Sequence, residues 1–279
     1  MNLLAYLRWG PEKEIFTIDP FEIFGLTIGP IEPRWYGLLF VMGFICGYYI
    51  LSWIFKVENK SQKDLDALTM TMIIATVIGA RLGHCLFYDP VGYLSNPIEI
   101  LKIWEGGLAS HGAAFGIIVA LYLFVRKHKE YSFIWLADRM AIVIALAACF
   151  VRLGNFVNSE ILGKPAEVPW AVIFYKIDSV PRHPSQIYEA ISYFALFIYL
   201  LFRYKKEKTS IPKGEFSAIF LIVLFGARFL IEFTKEVQSY WEKGLALDMG
   251  QILSLPLIIL GFYFLYLSRT KWNKPENIP

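Results

Sequence analysis

The chain has 279 residues, of which 56% are hydrophobic, 17% are aromatic and only 18% are charged. A soluble protein normally carries about 25% charged residues, so this composition favours a membrane protein with several spans. The net charge of +3 is too small to indicate a nucleic-acid-binding protein, and no basic stripe with interleaved aromatic residues suggests one. We therefore expect membrane lipids, and no nucleic acid, among its partners.

Residues 1–33 mix aromatic residues, prolines and charges, and they contain no apolar run long enough for a span or a signal peptide. We predict an outer interfacial arm there. The apolar runs that follow have the length of membrane-crossing helices, the open-chain element that satisfies its own backbone in lipid. The seven runs are, within a few residues, 35–55, 67–88, 107–125, 135–153, 186–202, 216–233 and 249–267. The predicted fold class is all-α, a polytopic membrane protein with seven transmembrane helices.

Lysine and arginine are concentrated in alternate loops, which lie at 56–63, 126–129, 203–213 and 269–274. By the positive-inside rule these loops are cytoplasmic, so the N-terminus is expected outside and the C-terminus inside. The predicted organisation is an outer arm at 1–33, a membrane domain at 34–268 with an outer cap at roughly 156–184, and a cytoplasmic tail at 269–279.

With this topology, polar residues from six helices fall at one depth, near the outer lipid headgroups. Intramembrane charge is costly, which makes this layer the candidate functional site. Its members are Tyr36, Arg81, His84, His111, Arg152, Asn155, Asn158, His183, Gln186, Glu189, Arg228 and Glu232. Single members have simpler explanations: Arg81 or Arg228 could snorkel to the headgroups, and Glu232 could form a helical ion pair with Arg228. The coincidence of depth favours a shared site.

The residue types in this layer indicate a chemistry. Arg81, Arg152 and Arg228 predict a phosphate clamp for a lipid, because guanidinium groups bind phosphate bidentately and stay charged in apolar surroundings. His111 is placed as a proton acceptor or donor. The histidines and scattered carboxylates lack the spacing of metal ligands, so we expect no metal and no other cofactor.

Two other classes of protein also use buried polar residues. A transporter for an anionic solute would carry arginines, but near the bilayer midplane and on broken helices of two repeats, and no repeat is visible here. A haem-binding membrane subunit could use His84 and His111, but both lie at one end of their helices. We rank both classes lower.

Six ordered motifs extend through nearly the whole membrane part. They are Gly29-Pro30 with Arg34-Trp35-Tyr36-Gly37; Gly79-Ala80-Arg81-Leu82-Gly83; Trp104-Glu105-Gly106-Gly107 with Ser110-His111-Gly112; Arg152-Leu153-Gly154-Asn155-Phe156-Val157-Asn158-Ser159-Glu160; His183-Pro184-Ser185-Gln186-Ile187-Tyr188-Glu189; and Gly226-Ala227-Arg228-Phe229 with Glu232-Phe233. In these motifs the chain resembles the prolipoprotein diacylglyceryl transferase family. It departs from the usual pattern at Val151, Ala113 and Lys235, where glycine, glycine and arginine are common.

The resemblance implies transfer of diacylglyceryl from phosphatidylglycerol to the lipobox cysteine thiol of a prolipoprotein. A thioether forms and glycerol 1-phosphate leaves, in the bacterial cytoplasmic (inner) membrane. It also implies seven helices with an outer N-terminus. The residues that it marks as important for activity are Tyr36, His111, Arg152, Asn155, Glu160, Arg228 and Glu232.

On this basis we predict the roles of individual residues. Arg152 and Arg228 would hold the phosphate and stabilise the leaving group. His111 would take the thiol proton, or else act as a positioning residue if an arginine environment alone activates the thiol. The residues expected to be catalytic are His111, Arg152, Arg228 and Tyr36. Those expected to bind phosphatidylglycerol are Arg152, Arg228, Arg81, Asn155, Asn158, Glu160, Glu189 and Glu232.

Overall fold

The structure, a computed structural model, describes residues 6–23, 26–30, 32–103, 106–237 and 246–272. Trp104 and Glu105 of the third motif, and residues 273–279 of the predicted tail, lie outside the described residues. The chain forms two compact units, each considered by itself. Unit 1 comprises Met1–Gly47 and Asp138–Pro279, and unit 2 comprises Tyr48–Ala137.

Each of the seven predicted apolar runs overlaps an α-helix. The described helices are α1 Trp35–Val57, α2 Gln62–Tyr88, the short α3 Pro90–Ser95, α4 Ser110–Lys127, α5 Phe133–Val157, α6 Ser185–Glu207, α7 Glu215–Glu232 and α8 Met249–Thr270. The ends of the helices differ from the ends of the apolar runs, because capping residues and glycines determine where a helix begins. Ser61 caps α2 by accepting from the Asp64 backbone N–H at 3.3 Å, so the helix begins in polar sequence. Gly106 and Gly107 have positive φ, so α4 begins after them at Ser110.

Within the described part of the chain, five helical segments are long and apolar enough to cross a membrane: α1, α2, α5, α8 and Ser185–Ser210, which contains α6. The helices α4 and α7 are shorter, with 18 residues each. Large apolar side chains are exposed on the helices, such as Phe115 at 70% and Ile259 at 67%, as expected for surfaces that face lipid. The chain is a predominantly helical, polytopic membrane protein. The count of seven spans and the orientation remain predictions.

The all-α prediction misses small sheets in the arm and the cap. The strand β1, Leu7–Trp9, pairs in parallel with β4, Val172–Phe174, and β4 pairs antiparallel with β5, Pro181–Arg182. The strands β2, Phe21–Ile23, and β3, Leu26–Ile28, form a separate antiparallel pair. Three-residue strands leave no detectable periodicity in sequence, which is why apolar runs cannot reveal them.

The first sheet ties the arm to the cap. Trp9 donates from its indole nitrogen to the Phe156 carbonyl at 3.0 Å, and the two rings lie 4.6 Å apart. Phe156 packs with buried Val172 and Phe174, and Trp9 and Ile187 complete this apolar cluster. Because Phe156 is near the end of α5 and Ile187 near the start of α6, the sheet fixes the two helix ends that carry most of the candidate site.

A buried carboxylate organises the start of α7. Asp138 Oδ2 accepts from the Gly214 backbone N–H at 2.7 Å, and Asp138 Oδ1 accepts from the backbone and the hydroxyl of Ser217 at 2.8 and 2.7 Å. The first N–H groups of a helix have no partner within it, and a carboxylate there also matches the helix dipole. Asp138 therefore has a structural role.

A charged cluster fixes the cap. The buried Arg182 guanidinium donates to Asp178 Oδ2 at 2.6 Å and to the Gly163 carbonyl at 3.2 Å, and it also pairs with Glu236. Glu236 follows α7, so these contacts join the cap to the end of that helix. These ionic contacts add to the apolar cluster of the cap in holding its conformation.

Asp178→Asn should destabilise the cap in a pH-dependent way. The Arg182 guanidinium hydrogen-bonds to Asp178 and holds the pKa of that carboxyl below its ordinary value. The ion pair therefore stabilises the fold above the ordinary pKa of about 4, and this contribution is lost as the pH falls through the lower folded-state pKa. Thermal unfolding in detergent should show a lower midpoint temperature for the variant than for the wild type at pH 7. The difference between the two midpoints should become smaller towards pH 3. A difference between the midpoints that does not change with pH would contradict a stabilising ion pair between Asp178 and Arg182.

Candidate functional site

The centre of the site in unit 1 is an ion pair between the end of α5 and the start of α6. Arg152 Nε lies 2.8 Å from Glu189 Oε2, and the two side chains are 12% and 0% exposed. Tyr193, one turn after Glu189 on α6, donates its hydroxyl to Glu189 Oε1 at 3.1 Å. A carboxylate buried this deeply requires cationic partners, and Arg152 is one of them.

A lysine joins a second carboxylate to this centre. Lys235, which is 2% exposed, places its Nζ 3.0 Å from Glu189 Oε1 and 2.9 Å from Glu232 Oε2. The sequence suggested a pair between Glu232 and Arg228 one turn earlier, but Glu232 pairs with the lysine that follows α7. The ends of α5, α6 and α7 are thus connected through charged side chains.

Two asparagine amides hold the next predicted site residue. The Nδ2 atoms of Asn155 and Asn158 donate to the two carboxylate oxygens of Glu160, at 3.0 and 3.1 Å. Asn155 Oδ1 accepts from Arg152 Nη1 at 3.1 Å, which connects Glu160 to the ion pair. Gln186 on α6 donates to the Glu160 carbonyl at 2.5 Å. This segment therefore has its polar side chains oriented before any ligand arrives.

Tyr36 and Arg228 complete the predicted residues of unit 1. The Tyr36 ring lies against Gly154, where a Cβ would come within 2.6 Å of Tyr36 Cδ2, so the glycine permits the contact. The half-buried Arg228 contributes to the positive field around Glu189. Within its unit, no described residue forms a hydrogen bond or an ion pair with the Arg228 guanidinium. Among the described residues of unit 1, Arg228 is thus the site arginine whose guanidinium donors have no hydrogen-bond partner.

Arg81, in unit 2, has a different environment. Its guanidinium donates to the backbone carbonyls of Glu99, Ile100 and Gly106 at 2.5, 3.0 and 2.6 Å, and more weakly to that of Gly107 at 3.3 Å. These contacts occupy most of its five N–H donors. We therefore revise the predicted phosphate contact of Arg81: the side chain fixes the loop before α4.

His111 lies in the first turn of α4 and is exposed within unit 2. Its ring centroid is 5.2 Å from that of Phe87 and 6.1 Å from that of Tyr88, both at the end of α2. No described residue of this unit is hydrogen-bonded to its ring nitrogens. His84 stacks on Tyr88 with the centroids 5.2 Å apart, as expected for a packing residue. Within the described residues of unit 2, the imidazole nitrogens of His111 are thus available for proton transfer.

Sequence reasoning missed Lys235 and Tyr193 as parts of the site. Lys235 stood out only as a departure from the usual arginine, and Tyr193 lies in an apolar run that contains several aromatic residues. A usable signal existed for Tyr193, since it lies four residues after Glu189 and so faces the same side of α6. Lys235 lies three residues after Glu232 and so within reach of it, but no local sequence signal shows that it also pairs with Glu189 on α6.

The arrangement in unit 1 suits recognition of an anion that carries hydroxyl groups. Two arginines and a lysine surround Glu189, while the amides and Glu160 offer hydrogen bonds beside them.

In the described part of the chain, one group has the spacing of metal ligands: Asp64, His128 and Glu130. Asp64 is at the start of α2 and Arg81 is near its end, so that group is separate from the loop that Arg81 holds.

Comparisons with known proteins identify what the chain resembles. Residues 24–267 match the family described as prolipoprotein diacylglyceryl transferase. A phosphatidylglycerol–prolipoprotein diacylglyceryl transferase of Tolumonas auensis is 48% identical over 253 residues, 91% of this chain and 96% of the relative. The protein of the same name from Chloroherpeton thalassium is 42% identical over 268 residues, 96% of each chain. That from Bacteroides fragilis is 39% identical over 277 residues, 95% of this chain and 96% of the relative.

Proposed function

The chain belongs to the prolipoprotein diacylglyceryl transferase family, and from this membership we propose that it transfers diacylglyceryl from phosphatidylglycerol to the lipobox cysteine of prolipoproteins. The reaction is the first step of bacterial lipoprotein maturation. It takes place in the cytoplasmic (inner) membrane, with seven helices spanning the bilayer and the N-terminus outside. The alternative of a transporter for an anionic solute has no support among the relatives.

The observation that carries the proposal is the arginine pair of unit 1. Arg228 has no described partner within its unit, while Arg152 is held in place by Glu189 and Asn155. We propose that Arg228 supplies the main contact to the lipid phosphate and that Arg152 adds a pre-oriented second one. A guanidinium fork suits this role because it stays charged and donates two parallel hydrogen bonds. Glu189 and Glu232 then act through their cationic neighbours as positioning residues.

The amide-rich segment after α5 is proposed to bind the glycerol headgroup. Asn158 Oδ1 is buried and accepts no hydrogen bond from any described residue. A headgroup hydroxyl is a donor of the kind that this atom lacks, and the carboxylate of Glu160 is a further acceptor nearby. Tyr36, against Gly154, would close the same side of the headgroup. These contacts would select phosphatidylglycerol over lipids whose headgroups lack the hydroxyls.

The proposed transfer is a displacement at carbon. The cysteine sulfur forms a bond to the glyceryl carbon of the diacylglyceryl group, and the bond between this carbon and the phosphate oxygen breaks. The thiol proton goes to a base, and glycerol 1-phosphate leaves with the electron pair. Arg152 and Arg228 would stabilise the charge that develops on the leaving phosphate, which is usually the largest electrostatic contribution. No cofactor is needed for this balance.

We assign the thiol proton to His111 because its imidazole edge is free within its unit and because residues of this type suit proton transfer near neutral pH. His111→Gln should then reduce turnover at pH 7 by about 100-fold, the lower end of the range for general base catalysis. The deficit should shrink as the pH rises past the ordinary thiol pKa of about 8.5, because the cysteine then ionises without help.

The rate of peptide modification measured from pH 6.5 to 9.5 tests this assignment. Full turnover of the variant at pH 7 would contradict the base role. A deficit of the same size at every pH would instead make His111 a positioning residue.

Release of the leaving group tests the reaction itself. Purified protein is mixed with phosphatidylglycerol and a lipobox peptide, and free glycerol 1-phosphate is measured enzymatically. We expect release to require the peptide thiol and to fall to background with a Cys→Ser peptide. Release of equal size without the thiol would indicate a lipid hydrolase and contradict the transferase assignment.

A further inference from the structure

A cluster of three potential metal ligands lies in unit 2, where the start of α2 meets the connection between α4 and α5. One oxygen each from Asp64 and Glu130 and one ring nitrogen of His128 all lie within 4.8 Å of one another. Asp64 is far from His128 and Glu130 along the chain, so no sequence motif indicates the cluster. Its members are not among the residues proposed above for lipid or thiol chemistry.

The distances around His128 do not fit a simple hydrogen-bonded pair. His128 Nδ1 is 3.4 Å from Asp64 Oδ1 and 3.7 Å from Glu130 Oε1, both longer than the usual 2.7 to 3.2 Å or so for N–H···O bonds. A single ring N–H cannot serve two acceptors well. For metal–ligand bonds of about 2.1 Å, ligands at two corners of a tetrahedron are about 3.4 Å apart. The distances from His128 Nδ1 to the two carboxylate oxygens are close to that separation.

Groups around the cluster hold two of the ligands in orientation. The Tyr131 hydroxyl donates to Asp64 Oδ2 at 2.9 Å, which leaves Oδ1 directed at His128. Tyr131 is itself buried and packs against Trp135, with ring centroids 5.3 Å apart. Such outer contacts commonly orient metal ligands.

A neighbouring aromatic ring holds the imidazole of His128 in orientation. Its ring stacks on the buried Phe124 one turn earlier, with centroids 4.3 Å apart and planes 13° apart. The side chains of His128 and Asp64 are only 19% and 20% exposed, whereas that of Glu130 is 53% exposed and can rotate towards an ion. Two ligands are therefore preorganised, and the third can complete a site that keeps a position open to water.

We propose that Asp64, His128 and Glu130 bind a divalent transition-metal ion of the zinc type, with water as a fourth ligand. Imidazole favours such ions over Mg²⁺, and two carboxylates supply the compensating charge. The bound ion would connect the first turn of α2 to the segment after α4. Its role would be to stabilise unit 2, and the transfer reaction would not pass through it. The proposal replaces the expectation of no metal, which considered only spacing along the chain.

Zinc binding to the untagged full chain in detergent tests the proposal, after removal of metals with a chelator. Elemental analysis should give one Zn²⁺ per chain, and competition with a chromophoric chelator gives the affinity. His128→Gln and Glu130→Gln should each weaken binding by at least about tenfold, and Tyr131→Phe by about tenfold through loss of the orienting hydrogen bond. Glu130 is exposed, so its variant is expected to fold even if the His128 variant does not.

His183→Gln is the matched control, because His183 pairs with the Tyr188 hydroxyl at 3.1 Å in unit 1. It should bind Zn²⁺ as the wild type does. Failure to bind stoichiometric Zn²⁺, or affinity unchanged by both the His128 and Glu130 substitutions, would overturn the proposal. Displacement of Zn²⁺ by millimolar Mg²⁺ would also overturn the zinc-type assignment.

Discussion

Replacing Arg152 with glutamine should slow diacylglyceryl transfer by about 100- to 1,000-fold, the size expected when one preorganised donor to a developing charge is lost. Glutamine keeps a polar side chain of moderate length but removes both the charge and the fork. Arg152→Lys keeps the charge and should recover only part of the rate, because a lysine ammonium has no planar fork with which to pair with Glu189 while donating to Asn155 and to a phosphate. The rate of lipid transfer to a lipobox peptide is the measurement.

The loss must be separated from unfolding, because Arg152→Gln leaves the buried Glu189 with one cationic partner fewer. Removing one member of such a pair costs about 3–5 kcal/mol. The double variant Arg152→Gln with Glu189→Gln removes the uncompensated charge, and it should regain stability but not activity. Arg126→Gln, at the exposed end of α4, is the control and should change neither. Near-normal transfer by the double variant would contradict the clamp.

A second large effect is expected at the contact between α2 and α4. A Cβ on Gly83 would lie 2.6 Å from Gly112 Cα, and one on Gly79 would lie 2.5 Å from the Gly112 carbonyl oxygen. Both are backbone contacts, so no side chain can rotate away. Gly83→Ala should therefore destabilise the protein by about 3 kcal/mol, at the upper end of overpacking effects. Thermal unfolding in detergent would show this as a midpoint lower by about 5–10 °C.

Gly226→Ala serves as the control for helix glycines. Gly226 lies within α7, and nothing lies within 4 Å of the position that its Cβ would take. Alanine there should stabilise the helix by up to about 1 kcal/mol, since it lowers the conformational freedom of the unfolded chain. Equal destabilisation by both substitutions would show that the tight contact between α2 and α4 is not the cause.

The glycine contact illustrates what the sequence could predict. The spacing of Gly112 and Gly116 on α4 predicts close helix packing, and Gly79 on α2 is the residue that approaches both. The seven apolar runs likewise predict the helices, because a long apolar segment has few other stable conformations in lipid. The helix ends were less predictable, since they depend on Ser61 as a cap and on positive φ at Gly106 and Gly107.

The partners of the site residues were the hardest part to predict. Arg81, Arg152 and Arg228 look alike in sequence, yet one holds backbone carbonyls, one is paired with Glu189 and one is free within its unit. These differences depend on which helix ends and loops meet, and local sequence does not encode that. The sheet that joins the arm to the cap was missed for the same reason, because β1 pairs with a strand more than 160 residues away.

Mass spectrometry of the acceptor peptide tests the central assignment most directly. Purified protein is incubated with phosphatidylglycerol of defined acyl chains and a peptide that carries one lipobox cysteine. The proposed function predicts a peptide whose mass rises by one diacylglyceryl group of those chains, with fragments that place a stable thioether on the cysteine sulfur. An unmodified cysteine under conditions where the protein is folded, or lipid attached by an ester at another residue, would contradict the assignment.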